Sequence, residues 1–124
     1  MRILLMDDND TVRASLSHLL SMLSFEVAPA KDGEEALNLY KKSKFDIVIL
    51  DLTVPGGMGA KETVPKLFEI DPKVLAIVLS GYHDDPVMEH FRDYGFAAAI
   101  KKPVTANELS EILSSVIDKT SVPA

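Results

Sequence analysis

Asp51 closes the apolar run Phe45-Asp46-Ile47-Val48-Ile49-Leu50, and Leu52-Thr53-Val54-Pro55-Gly56-Gly57 follows at once. A carboxylate at the lip of a buried strand, facing a Gly/Pro turn, is poised to bind or react. Three other strand-like runs also end in reactive groups. Ile3-Leu4-Leu5-Met6 ends in Asp7-Asp8, Val74 to Leu79 ends in Ser80, and Ala97 to Ile100 ends in Lys101-Lys102-Pro103. If the strands run parallel, these groups meet at one edge of a sheet, and the set suits phosphoryl chemistry on Asp51.

The charges explain why. Two carboxylates ~4 Å apart repel by about 4 kcal/mol at an effective dielectric of ~20. A cluster of Asp7, Asp8 and Asp51 therefore needs a proton, a cationic partner or a metal. Oxygen-only donors suit a hard divalent ion, Mg²⁺ (or Mn²⁺), which takes carboxylates together with waters and phosphate oxygens. Lys102 adds a mobile ammonium. Asp51 is then the candidate nucleophile, since carboxylates form acyl phosphates. Phosphoryl transfer demands neutralised equatorial oxygens more than a strong base. The Ser80 hydroxyl and Lys102 can each serve one oxygen.

Each piece has a plainer reading. A lone Asp after a strand caps a turn, Asp7-Asp8 can cap a helix, Ser80-Gly81 makes a turn, and Lys101-Lys102 is solvated surface. Their coincidence at four strand ends is what favours chemistry. No base is placed to activate Ser80 as a hydrolase nucleophile. His18, His83 and His90 are scattered and suit surface or cap roles, and the methionines read as core filler.

The elements that must position these groups alternate. Strands are expected over Arg2–Met6, Phe25–Ala30, Phe45–Leu50, Lys73–Leu79 and Phe96–Ile100. Helical stripes lie between them. The first runs from about Asp10 to Leu23, with Asn9 or Asp10 as cap. The second covers Glu34 to Lys42. A third ends near Ile70, where Pro65 fits if Thr63 is the cap but would kink a helix begun at Ala60. A fourth starts at Asp84 or Asp85, has Pro86 in its first turn, buries Val87, Phe91 and Tyr94, and ends at Gly95. The capping box Thr105-Ala106-Asn107-Glu108 opens the last, with Leu109, Ile112, Leu113, Val116 and Ile117 inward. Alternating strands and helices predict an α/β domain, a doubly wound parallel sheet between helical layers. Ligands of such sheets bind beyond the carboxyl ends of the strands.

Composition narrows the function classes. The 124 residues fit one domain, expected over 1–120 with Ser121 to Ala124 as a loose tail. A net charge of -6 carries no broad basic footprint for nucleic acid. The absence of cysteine rules out a disulfide framework and fits a cytoplasmic setting. No run approaches the ~20 apolar residues of a membrane span.

Taken together, Asp7-Asp8, Asp51, Ser80 and Lys102-Pro103 resemble the receiver (response-regulator) domain of two-component phosphorelays. The likeness runs from Ile3 to about Lys119. The segments Asp51 to Gly59, Ser80-Gly81-Tyr82, Asp85-Pro86-Val87-Met88 and Tyr94-Gly95-Phe96 are most similar to receivers fused to hybrid sensor histidine kinases. The resemblance supplies the flavodoxin-like strand order 2-1-3-4-5 with five helices. It implies that Asp51 accepts phosphate from a phosphohistidine on a histidine kinase or histidine phosphotransfer domain. It implies that Asp8, Asp51 and the Thr53 carbonyl ligate Mg²⁺, with Asp7 acting through water. Lys102 would contact the phosphoryl group, with a cis bond to Pro103, and Ser80 would follow that group inward. The readout face would be the fourth helix, fifth strand and fifth helix, through which a homodimer could form. Such a domain is a phospho-switch and not a metabolic enzyme.

One position departs from the pattern. The family often has a switching aromatic residue three positions before the site lysine, where this chain has Ala99. Thr53 and Tyr82 flank the path expected for attacking water, so Tyr82 is a candidate for slowing hydrolysis. A phosphatase of the haloacid-dehalogenase-like class shares Asp, Ser, Lys and Mg²⁺. It needs a second Asp two residues after the nucleophile, where Thr53 stands, and a cap domain for which there is no room. A non-phosphorylated interaction module is the remaining alternative.

Overall fold

The computed structural model describes residues 1–82 and 84–121, so His83 and residues 122–124 lie outside the description. Five strands, β1 (Arg2–Met6), β2 (Glu26–Ala30), β3 (Ile47–Asp51), β4 (Ala76–Ser80) and β5 (Ala98–Lys101), form one sheet in the order β2-β1-β3-β4-β5. Every neighbouring pair is parallel. Five α-helices connect them: α1 (Asp10–Met22), α2 (Gly33–Lys42), α3 (Ala60–Ile70), α4 (Pro86–Glu89) and α5 (Ala106–Ser121). This is the flavodoxin-like arrangement that the resemblance implied. Ser121, assigned to the tail, belongs to the last helix.

Strand parity builds two cores. Leu4, Met6, Val48, Leu50, Ala76 and Val78 face one side and pack with Ala36 and Leu37 of α2, Val64 and Leu67 of α3, and Val87 and Met88 of α4. Ile3, Leu5, Ile47, Ile49, Ile77, Leu79 and Ile100 face the other and pack with Leu16 and Leu20 of α1 and Leu109, Leu113 and Val116 of α5. Every residue of β3 and β4 is buried. Each buried Ile, Leu or Val contributes about 1.5–3 kcal/mol, so the strands behind the site form its stiffest support.

Caps fix where the helices start. Asn9 accepts the Val12 N–H at 3.0 Å, Asp32 accepts Glu35 N–H at 2.9 Å, and Asp85 accepts Val87 N–H at 2.9 Å. Thr105 and Glu108 satisfy each other's backbone N–H at 3.1 and 3.2 Å, a complete capping box.

Two helices depart from expectation. α3 begins at Ala60 behind Gly59, which provides no side-chain cap, and Pro65 sits inside it. Thr63 is not a cap but a buried helix residue. Its hydroxyl donates back to the Gly59 carbonyl at 2.7 Å. The stretch expected as one helix from Asp85 to Gly95 is broken. α4 stops at Glu89, His90 takes φ -117° and ψ 38°, and a 3-10 helix covers Phe91–Tyr94. Val87 and Met88 are buried, whereas Phe91 and Tyr94 are half-buried. Gly95 ends the segment with φ 96°, where a Cβ would stand 2.8 Å from the Phe68 ring. The Lys102–Pro103 bond is cis, as the resemblance implied.

Candidate functional site

The site forms where β1, β3 and β5 end, and parity selects its members. Asp7 continues the facing of Ile3 and Leu5, Asp51 that of Ile47 and Ile49, and Lys102 that of Ile100. All three therefore lean toward the α1/α5 side of the sheet edge. Lys101 has the opposite parity and is exposed.

Oxygen atoms from Asp7, Asp8 and Asp51 lie within 4.8 Å of one another. Asp7 is fully buried, Asp51 nearly so, and Asp8 exposed. Lys102 Nζ stands 2.8 Å from Asp7 Oδ2 and 3.5 Å from Asp51 Oδ1. The ammonium thus sits closer to Asp7 than to the candidate nucleophile. Asp7 Oδ1 also accepts the Asn9 N–H at 2.9 Å. Arg13 donates to the Asp7 carbonyl at 2.7 Å and pairs with Asp10 at 2.6 Å, which ties the loop after β1 to the first turn of α1.

This crowding shows in the titration of Asp51, pushed up to about 7. Burial is the largest cause, followed by the Asp7 charge, against the opposing pull of Lys102; a hydrogen bond with Asp8 and its charge raise it further. For Lys102, burial lowers the pKa, but contact with Asp7 and the charges of Asp51 and Asp7 outweigh it and hold the group above the ordinary lysine range. The two shifts agree physically: the anions stabilise the ammonium more than one ammonium can satisfy three anions.

A cavity of about 500 Å³ opens in front of Asp51. Asp8, Asp51, Thr53, Tyr82 and Lys102 line it. Tyr82 is 63% exposed and stands at the rim. Ser80 is different. It is buried at the end of β4, and its Oγ accepts the Tyr82 N–H at 2.9 Å. It is not among the lining residues, although its hydroxyl proton remains to be donated. Ala99 lies in β5 opposite Val78, half-buried on the other side of the sheet from Lys102.

Sequence reasoning did not single out Asn9 as a pocket residue, nor Val12, Pro55 and Gly81, which also line the cavity. Asn9 and Val12 belong to the first turn after Asp7-Asp8, so a helix start beside a strand-end carboxylate was the available signal. Arg13 was missed as well; its pairing with Asp10 three residues earlier was legible, but its bond to a strand-end carbonyl was not.

The donor set fits a hard divalent cation. Among the described residues three carboxylates converge, their donor atoms are oxygen, and one ammonium opposes them. Among the described residues this is the one such acidic cluster, and His18 and His90 are exposed and apart from it. Among the same residues no helix is long and apolar enough to cross a membrane.

Comparison with known proteins agrees with this geometry. The response regulator receiver domain family matches residues 3–114. A response regulator receiver protein of Anaeromyxobacter sp. is 35% identical over 111 residues, covering 90% of this chain and 46% of the relative. The chemotaxis protein CheY of Thermotoga maritima is 31% identical over 116 residues, covering 93% of this chain and 96% of that protein. The CheY of Borrelia burgdorferi, solved in a complex with CheX, BeF₃ and Mg²⁺, superposes with a TM-score of 0.87 at 26% identity, covering 94% of this chain and 89% of that one. Three of the curated relatives, the Anaeromyxobacter protein among them, are longer, and the chain spans less than half of their length.

Proposed function

The chain belongs to the response regulator receiver family, and from that premise we propose that it accepts a phosphoryl group on Asp51 from a phosphohistidine and relays it as a change of shape. The observation that carries the reading is the convergence of three carboxylates within 4.8 Å beside the Lys102 ammonium. Such a site is incomplete without added positive charge.

In this reading Asp51 attacks the phosphorus in line, its Oδ–P bond forming as the P–N bond to the donor imidazole breaks. The attacking form is the carboxylate, and burial and the Asp7 charge favour the protonated acid in the cation-free site, where Asp51 is pushed up to about 7. Asp8, Asp51 and the Thr53 carbonyl are the residues to hold Mg²⁺ or Mn²⁺, with Asp7 behind them. Bound there, the ion supplies the positive charge that offsets both the acidic cluster and the incoming phosphoryl oxygens. Lys102 is close enough to Asp51 to move its ammonium from Asp7 onto a phosphoryl oxygen. Ser80 must turn its hydroxyl from the Tyr82 N–H toward the phosphoryl group, which loosens the backbone after β4. Phosphate adds about -1.5 to -2 charges, and the gain of those contacts is the free energy available to shift a two-state equilibrium.

Ala99 offers no ring to follow Ser80, and the proposed readout face is α4, one short turn, together with β5 and α5. A histidine kinase or histidine phosphotransfer domain is the proposed donor, and attachment to a hybrid sensor kinase is the proposed context. The domain would then be a switch that catalyses only its own phosphorylation and dephosphorylation.

The test is incubation with acetyl phosphate and Mg²⁺, followed by intact mass. One phosphoryl group should be gained, labile to hydroxylamine, and absent with EDTA or in Asp51→Asn. Labelling of Asp51→Asn equal to the parent would end the reading.

A further inference from the structure

We propose that Thr63 and Gly33 are positioning residues for the cation, acting through the loop that carries Thr53. This inference rests on the reading of Thr53 as a metal ligand. The loop from Leu52 to Gly59 leaves β3, turns tightly and returns to α3. Gly57 N–H donates to the Val54 carbonyl at 3.0 Å, closing a turn around Gly56, whose φ is 75°.

The returning limb is fastened from two sides. The Met58 carbonyl accepts the Gly33 N–H at 2.8 Å, which ties it to the start of α2. The Gly59 carbonyl accepts both the Thr63 N–H at 3.0 Å and the Thr63 hydroxyl at 2.7 Å. These two fastenings touch each other. A Cβ at Gly33 would overlap Thr63 Oγ1 and stand 2.8 Å from the Met58 oxygen. A Cβ at Gly59 would stand 2.5 Å from the Leu52 carbonyl oxygen, so the limb passes close by the residue directly before Thr53. The chain of contacts runs from α2 through Thr63 and Gly59 to Leu52, one peptide from the proposed ligand.

Thr63 also looks out of place if stability alone mattered. It is fully buried on a helix face whose other buried residues, Ala60, Val64 and Leu67, are apolar. Valine has nearly the same volume and no hydroxyl to desolvate. A hydroxyl kept there is spent on the loop. Outer groups that orient metal ligands typically change affinity by 10–100-fold when removed.

The experiment uses the whole chain and the variants Thr63→Val and Thr63→Ser. Mn²⁺ binding is read from the paramagnetic resonance of the free ion, and stability is read separately from urea unfolding. Thr63→Val should weaken Mn²⁺ binding by roughly tenfold or more and speed amide exchange across residues 52–59 in the metal-free protein. Thr63→Ser, which keeps the hydroxyl, should bind like the parent. If Thr63→Val does not fold, Thr63→Ala, which adds no atom, carries the same expectation. A hydroxyl-deleted variant that binds Mn²⁺ as tightly as the parent, whatever its stability, overturns the inference alone. A parent that binds no Mn²⁺ overturns the metal reading of the site and the inference with it.

Discussion

Replacing Asp51 by Asn should make the metal-free protein more stable, and only above the acid range. Asp51 is nearly buried, and oxygens of Asp7 and Asp8 lie within 4.8 Å of it. At that separation and an effective dielectric of ~20, each pair repels by roughly 3.5 kcal/mol. Lys102, 3.5 Å from Oδ1, offsets about 4.7 kcal/mol of this at the same dielectric. Two repulsions against one attraction leave roughly 2 kcal/mol unfavourable before desolvation is counted. The shift of Asp51 has the same sign, since burial first and then the Asp7 charge push it up to about 7. An unfolded Asp titrates near ~3.9, so the gap sets a ceiling of about 4 kcal/mol. Water in the open cavity screens these charges, and about 2 kcal/mol is the expected size. The folded pKa lies above the unfolded one. The stability Asp51 contributes is therefore full below about pH 4 and is lost as pH rises to about 7. Urea unfolding of parent and Asp51→Asn in EDTA should coincide near pH ~4 and separate by about 2 kcal/mol in favour of the variant near pH ~8. Saturating Mg²⁺ should close the gap by stabilising the parent more, by about 2.7 kcal/mol at a hundred times its Kd. A variant less stable than the parent at the higher pH, or a gap that does not change with pH, would refute the reasoning.

Three other outcomes follow from particular residues. Pro65 is exposed within α3 and has no N–H to give the Lys61 carbonyl, so Pro65→Ala should raise stability by about 1 kcal/mol in urea. Gly95→Ala meets both a φ of 96° and the Phe68 ring, and should lower stability by about 2 kcal/mol in the same assay. Tyr82 stands exposed at the cavity rim, and Tyr82→Ala should shorten the lifetime of phospho-Asp51, followed by loss of the label after donor removal; an unchanged decay rate ends that role for Tyr82.

The strands and their order of reactive ends were legible because parity and burial act locally. Apolar runs such as Ile47 to Leu50 have no other stable use than a sheet covered on both faces. Caps at Asn9 and Thr105 were legible for the same reason, since each satisfies its own first turn. What stayed hidden depends on groups far apart in the chain. Nothing between Val87 and Tyr94 forbids a continuous helix, yet the chain breaks at His90. Phe96 there is buried and returns its N–H to the Phe91 carbonyl at 3.0 Å. Thr63 was expected at a helix end because its type favours caps, but the loop of residues 52–59 supplied a carbonyl for its hydroxyl inside the helix. Likewise, no rule of spacing sets the Ser80 hydroxyl toward the Tyr82 N–H and away from the cavity.

The site works against the fold that supports it. Buried Ile and Leu side chains of β1 and β3 hold Asp7 and Asp51 at a separation their charges oppose. Lys102 moderates that opposition but stands 2.8 Å from Asp7 and 3.5 Å from Asp51 at once. The repulsion is therefore present before any ligand arrives, and whatever cation binds gains free energy by relieving it. Cation affinity and folding stability are then linked through the same residues. A substitution that relaxes the cluster, as Asp51→Asn does, gains stability by giving up the attraction that draws the cation in. Stability alone is thus a poor measure of whether this site is intact, and a variant more stable without metal is the one expected to respond least to it.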